Sequence, residues 1–349
     1  MSSVQNLKTF AIPLSLMVLV LCILVSLQAG AVRIDHEVWY SFFLNQRTLF
    51  SATQQGDVYV LWHVRMPRVM LAVLIGAALG LAGSLVQGLF RNPLADPSLL
   101  GVTTGAASAA ALTIVLWSGQ TLSMSSEIKI WLLPFVSFIG AFLTCMTLNS
   151  CSRWISSDSV AALLLLGIAL NALGVAIIGL CTYLATDEQL RSLSFWTLGS
   201  LAGANWTMVL LMCIMLVLVY MWSIRMAQRL NALSLGENTA AHLGIVVSRM
   251  RWFISVMVAL LAGMSVAFCG VIGFVGLIAP HLARVLVGAD LRTLLPLSML
   301  MGALLMLTAD TIARTIAIPA EVPVGIFTAL LGGPFLMLLL RASRYRAGE

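Results

Sequence analysis

Residues 66–117 read MPRVMLAVLIGAALGLAGSLVQGLFRNPLADPSLLGVTTGAASAAALTIVLW. One apolar run ends at Phe90, a second ends at Trp117, and Arg91-Asn92-Pro93-Leu94-Ala95-Asp96-Pro97 lies between them. Each run approaches the roughly 20 apolar residues that a membrane-crossing helix needs. Pro93 and Pro97, four residues apart, cannot lie within one straight helix, so the chain turns here and re-enters the bilayer.

The rest of the chain repeats this pattern. Of 349 residues 60% are hydrophobic and 9% charged, and the mean hydropathy is +1.03. A soluble domain averages about 25% charged residues, so most of this surface faces lipid. Ten apolar helices are expected, at 10–30, 66–90, 97–117, 130–150, 159–184, 206–225, 250–269, 275–288, 293–314 and 325–341. The fold class is all-α, a single transmembrane domain over residues 1–349 with no separate soluble domain. The eighth helix is short for a span, which is tolerated where protein buries it. The first run, Phe10 to Leu27, exceeds a signal-peptide core, and many spans follow, so an uncleaved first helix is expected although Ala29-Gly30-Ala31 resembles a cleavage site.

Two connections are long. Residues 31–64 are polar and carry Trp39, Tyr40, Tyr59 and Trp62, which suit a membrane interface. Residues 226–249 carry Leu230, Leu233 and Leu235 before Gly236, with Ala240, Ala241 and Leu243 after it, a pattern for two short helices broken at the glycine. Orientation follows from the cations. With the N-terminus inside, the inner ends hold Lys8, Arg91, Arg153, Arg225, Arg229, Arg249, Arg251, Arg284, Arg292, Arg341, Arg344 and Arg346. The outer ends hold Arg33, Arg47, Arg65, Arg68, Lys129, Arg191 and Arg314. Twelve against seven of the chain's 19 puts both termini and the 226–249 loop in the cytoplasm. The Gly/Pro-rich stretches 76–102 and 263–288 would run in opposite directions, the pattern of an inverted repeat whose broken helices meet near a pathway.

Several functions are excluded. The net charge of +6 is scattered and forms no basic patch with interleaved aromatics, which argues against nucleic acid. The chain has two lysines, Lys8 and Lys129, and neither sits in a phosphate-binding loop, so ATP hydrolysis would fall to a partner. The four histidines, His36, His63, His242 and His281, lie far apart, and Cys22, Cys145, Cys151, Cys181, Cys213 and Cys269 form no C-x-x-C, so neither a metal site nor a disulfide framework is expected. Asp310 and Arg314, spaced i, i+4, read as a structural ion pair or as a docking site. Arg65 and Arg68 flank Pro67 and read as interfacial anchors or as an external positive patch.

The string from Gln87 to Gly101 resembles the FecCD-type permeases of bacterial importers for iron-siderophores, haem and vitamin B12. Further matches are Arg65-Met66-Pro67-Arg68, Leu198-Gly199-Ser200-Leu201, Leu235-Gly236-Glu237, Gly270 to His281 with Arg284, Ala309-Asp310, Arg314 and Glu321-Val322-Pro323-Val324-Gly325. Met66 stands where Leu is usual, and Leu291 interrupts a Gly-x-Asp-His-Arg pattern at 288–292. The resemblance implies a vitamin-B12-permease-like fold of about ten helices in the bacterial inner membrane, and a homodimer with the pathway on its two-fold axis. It also implies two cytoplasmic ATPase subunits that use ATP and Mg, a periplasmic substrate-binding protein, and no cofactor on this chain. By the same likeness Leu235, Gly236, Glu237, Ala240, Leu243 and Gly244 couple to the ATPase. Arg65, Arg68 and Arg314 dock the binding protein, while Asn92, Pro93 and Leu94, with Ser156, Ser157 and Ser159, belong to the pathway and its gate. Phe195-Trp196 before Leu198, with the Gln87 string, is most similar to the haem-uptake branch, ahead of ferric siderophore and vitamin B12. His36 and His63, on the outer side, read as surface residues or as residues near a haem entrance. The competing class is an ion-coupled secondary transporter, which the scarcity of acids in the apolar runs argues against. A membrane enzyme would need a cluster of His, Asp or Glu at helix ends, and none is visible.

Overall fold

The computed structural model describes residues 2–30, 52–117, 126–155 and 160–347. Ser156, Ser157, Ser159 and His36 lie outside the described residues. The helices are α1 (Ser2–Gln28), α2 (Ala52–Tyr59), α3 (Met66–Phe90), α4 (Val102–Leu116), α5 (Ser126–Ile155), α6 (Val160–Leu184) and α7 (Asp187–Leu198). They continue with α8 (Trp206–Ser234), α9 (Glu237–His242), α10 (Val247–Cys269), α11 (Val275–Val287), α12 (Leu291–Thr315) and α13 (Val324–Ala347). There is no strand among the described residues. Seven of these stretches are long and apolar enough to cross a membrane, and α4, α11 and α13 are shorter apolar helices, which gives the ten expected from sequence among the described residues.

The span through α2 and α3 is the central post. Of its most apolar stretch 83% is buried, against 17% in both α5 and α6 and 28% in α1 and α8. It packs chiefly on α12, then on α8, α10 and α11, while α4 is wedged between α5 and α6. The α3–α12 contact is close because both helices present glycine: a Cβ added at Gly76 would overlap the Gly302 carbonyl, and one at Gly302 the Gly76 carbonyl. Lipid offers no hydrophobic drive between helices, so such backbone approach and its dispersion contacts hold them together.

Three features differ from the sequence reading. The helix expected to begin at 66 is already helical from Ala52, through a π-helical turn at Val60–Arg65. Polar Thr53-Gln54-Gln55-Gly56-Asp57 reads as loop, but the segment is carried by the post that follows it. The helix expected at 206–225 runs on to Ser234, so the first of the two short helices is a continuation of α8. Asn231 fixes that extension, donating to Asp290 at 2.7 Å and accepting from the Leu291 backbone N–H at 3.1 Å. The break itself falls at Gly236, whose φ of 120° a side-chain-bearing residue adopts at a cost. The third difference is α7, which was not expected. It is announced by a capping box in which Thr186 accepts from the Gln189 N–H and Gln189 accepts from the Thr186 N–H.

Candidate functional site

Two charged clusters sit at opposite ends of α3. Arg68 and Arg91 are separated by 23 helical steps, about 34 Å at 1.5 Å per residue, close to the roughly 30 Å of bilayer hydrocarbon. The post therefore carries one cluster at each membrane face.

At the N-terminal end of α3, Arg68 donates from Nε and Nη2 to Asp310 at 2.9–3.2 Å, and from Nη1 to both carboxylate oxygens of Glu321 at 2.8 Å. Arg314 lies 3.7 Å from Asp310 and donates to the Ala29 carbonyl at 2.9 Å, to Ser26 Oγ at 2.7 Å and to the Ser26 carbonyl. Arg65 donates to the carbonyls of Leu27 and Gln28 at 2.9 and 3.2 Å. The expectation of an exposed positive patch is corrected: Arg65, Arg68 and Arg314 are 5, 8 and 7% exposed. The reason is local supply. The C-terminal carbonyls of α1, Asp310 and Glu321 satisfy the guanidinium donors inside the chain, so the arginines fasten α1 and α12 to α3. The Asp310–Arg314 spacing does form the structural ion pair. Glu321, with 46% of its side chain exposed, is the open edge of this cluster.

At the C-terminal end of α3, Glu237 opens α9 and accepts from Arg91 at 3.0 Å and from Arg251 at 2.7 Å. Arg91 caps α3 in the left-handed region, φ 51°, which swings its side chain off the helix end toward α9. Arg251 is buried in α10. One carboxylate thus joins the short helix to the post and to α10. Ala240 is fully buried behind α9, whereas Leu235 and Leu243, at its two ends, are 72 and 63% exposed. Gly244 is also exposed and has φ 76°. The helix is thus pinned from behind and presents an apolar side chain at each tip.

The turn after Arg91 is held by its own side chains. Asn92 Oδ1 accepts from the Leu94 N–H at 2.9 Å, its carbonyl accepts from Ala95, and Asp96 accepts from the Ser98 N–H at 2.9 Å. Asn92 and Pro93 are exposed and Leu94 is half-buried. The two Gly/Pro-rich stretches do meet: a Cβ at Gly83 would overlap the Gly276 carbonyl, and one at Gly276 would press on Pro97. Gln87 bridges them, donating to the Leu277 carbonyl at 3.3 Å and accepting from Arg284 at 3.1 Å. Gln87 is a polar residue inside an apolar run, and that polarity is the sequence signal for this role. The eighth helix, α11, has 13 residues, about 20 Å, too short to cross. The non-helical approach at 270–274 is sheltered by protein, and the Cys269 carbonyl there accepts from the Ser200 N–H at 2.8 Å.

These elements make an all-helical, multi-pass membrane bundle built on a buried central post. The chain belongs to the FecCD transport family, whose model matches residues 18–342. It is 43% identical to the hemin transport system permease protein HmuU of Yersinia pestis, over 87% of this chain and 90% of that one. It is 39% identical to the vitamin B12 import system permease protein BtuC of Vibrio cholerae, over 84% of this chain and 86% of the relative. A solved structure described as an inward-facing conformation of a putative metal-chelate type ABC transporter superposes with a TM-score of 0.79 at 33% identity, covering 96% of this chain and 99% of that chain.

Proposed function

We propose that the chain is the permease of an ATP-driven haem importer in a bacterial inner membrane, working as a homodimer with two cytoplasmic ATPase subunits and a periplasmic binding protein. The observation that carries this is the α9 junction: Leu235 and Leu243 are offered outward while Glu237 links the same helix to Arg91 at the end of the post. The exposed faces of α6 (Leu165, Leu173, Leu180) and α13 (Leu330, Leu331) offer a second copy an apolar surface. Haem rather than vitamin B12 or a ferric siderophore is favoured by the higher identity to the hemin permease.

In this reading ATP and Mg act on the partner, and this chain holds no cofactor of its own. Closure of the two ATPase subunits displaces α9. Because Glu237 bridges to Arg91 and Arg251, the displacement passes to α3 and α10, and the turn at Asn92, Pro93 and Leu94 moves with α3 as part of the inner gate. ATP supplies the free-energy difference between outward-open and inward-open states, without which nothing switches. At the outer face a carboxylate of the docked binding protein replaces the exposed Glu321 at Arg68, while Arg65 and Arg314 hold α1 and α12 in place beneath it. Both termini and α9 lie on the cytoplasmic side.

The test is uptake by proteoliposomes holding this chain and its ATPase, with ATP inside and binding protein outside, offered haem, a ferric siderophore and vitamin B12 in parallel. ATP-dependent accumulation of haem alone is expected. Accumulation of another cargo would overturn the haem assignment, and uptake without ATP would favour an ion-coupled carrier.

A further inference from the structure

Between the inner end of α8, the α9–α10 connection and the start of α10 lies an open groove of about 610 Å³. Its lining includes Trp222, Met226 and Phe253, the cations Arg229 and Arg249, and Leu243 at the end of α9. None of the lining residues is acidic. Arg229 and Arg249 are both exposed, and the nearby carboxylate, Glu237, is already engaged by Arg91 and Arg251.

The position of the groove along α8 matters. That helix has 29 residues, about 43 Å, against roughly 30 Å of hydrocarbon. Its exposed residues Leu210, Ile214 and Leu218 face outward along the lipid-crossing part. The apolar strip ends at Trp222, which packs on Phe253 with ring centroids 5.5 Å apart, and Phe253 packs in turn on Trp252 at 5.1 Å. Aromatic rings of this kind mark the depth of the lipid headgroups. Arg229 lies seven residues, about 10 Å, beyond Trp222. An acyl-chain surface, an aromatic collar and two cations therefore follow one another in the order of a phospholipid's own parts.

We propose that this groove binds an anionic phospholipid of the adjacent leaflet, with its phosphate between Arg229 and Arg249 and its chains along α8. Charge complementarity selects the occupant, because two guanidiniums with no acid beside them favour a net negative headgroup over a zwitterionic one. The Ile245–Val246 wall of the groove joins α9 to α10, so bound lipid would brace the coupling helix from behind.

The experiment reads lipid, not transport, and so stands apart from the haem assignment. The full chain is reconstituted in phosphatidylcholine vesicles with phosphatidylglycerol added, then extracted gently, and retained lipid is counted by native mass spectrometry. Wild type should retain phosphatidylglycerol, and Arg229→Gln with Arg249→Gln should lose about tenfold or more of that retention, at about 1 kcal/mol per cation. Arg292→Gln with Arg341→Gln, which removes the same charge from exposed positions outside the groove, should retain it. Equal retention by the groove variant and wild type would overturn the proposal. Displacement of the lipid by inorganic phosphate alone would make the groove a site for free anions and would also overturn it. Loss of retained lipid when the ATPase subunits are bound would assign the groove to protein docking instead.

Discussion

Replacing Glu237 by Gln keeps the shape of the side chain at the start of α9 and removes its charge. The carboxylate serves two guanidiniums with very different surroundings. The Arg91 pair is open, with side-chain exposures of 37 and 25%, and contributes about 0–1 kcal/mol. Arg251 has 5% of its side chain exposed, so its 2.7 Å bond to the carboxylate is a charge-assisted hydrogen bond of about 1.5–3 kcal/mol. The substitution should therefore weaken the attachment of α9 to α3 and α10 by about 2–3 kcal/mol. The bundle as a whole would keep its core. In proteoliposomes with the ATPase, uptake per ATP hydrolysed should fall about tenfold or more, while the melting temperature in detergent changes by only a few degrees. Glu237→Arg would set a third cation beside Arg91 and Arg251 and should be more severe. A double-mutant cycle with Arg91→Gln separates the two arms, since the second change should add little once the carboxylate is gone. Uptake per ATP equal to wild type in Glu237→Gln would refute the reasoning, because the junction would then carry no motion.

Leu235→Asp places a charge on the exposed tip before α9 and should weaken co-purification of the ATPase about tenfold without lowering the melting temperature; a stable, fully associated variant would remove Leu235 from the contact. Asp310→Asn leaves Arg68 and Arg314 short of a buried carboxylate and should cost about 3–5 kcal/mol, seen as early thermal unfolding; a melting curve like wild type would show that Glu321 and the α1 carbonyls suffice. Asp290, which caps α12, has its carboxyl held below the usual carboxylate range by the Arg292 backbone N–H, by Asn231 and by the Arg292 charge. Its contribution to stability is thus present above the ordinary aspartate range and is lost as pH falls through the lowered value. Asp290→Asn should flatten that acid-side decline in melting temperature, and an unchanged profile would show that the cap does not titrate with folding.

The number and order of the apolar helices were legible because hydropathy measures what the bilayer selects, and each run had to satisfy its own backbone within one segment. Their ends were less legible. At 52–65 and at 226–234 the helix continues through polar sequence because a neighbour supports it, Asn231 on the start of α12 in the second case. α7 carries a readable capping box, but its length of 12 residues and mixed polarity put it below a search for spans. Within the candidate site, Leu235-Gly236-Glu237 could be located by motif, yet nothing in the sequence says that Leu235 faces out while Glu237 turns inward. That division depends on Arg251, which is 14 residues further on and reads in sequence as one more inner cation.

The arginines around Asp310 show the same limit from the other direction. Arg65, Arg68 and Arg314 were found by type and spacing, and their burial follows from a partner set that only tertiary structure assembles: carbonyls at the end of α1, Asp310 on α12 and Glu321 after it. A guanidinium buried without those partners would carry a desolvation cost of several kcal/mol. The cluster therefore ties α1, α3 and α12 together at one end of the post, as the Glu237 junction ties α9, α3 and α10 together at the other. Because α3 belongs to both pieces, the Glu237 junction and the Arg68 cluster are joined through the same post, about 34 Å apart. Glycine contact between α3 and α12 seats that post directly on α12, and the helical structure beside it is interrupted at the turn of 91–101 and at the non-helical stretch of 270–274.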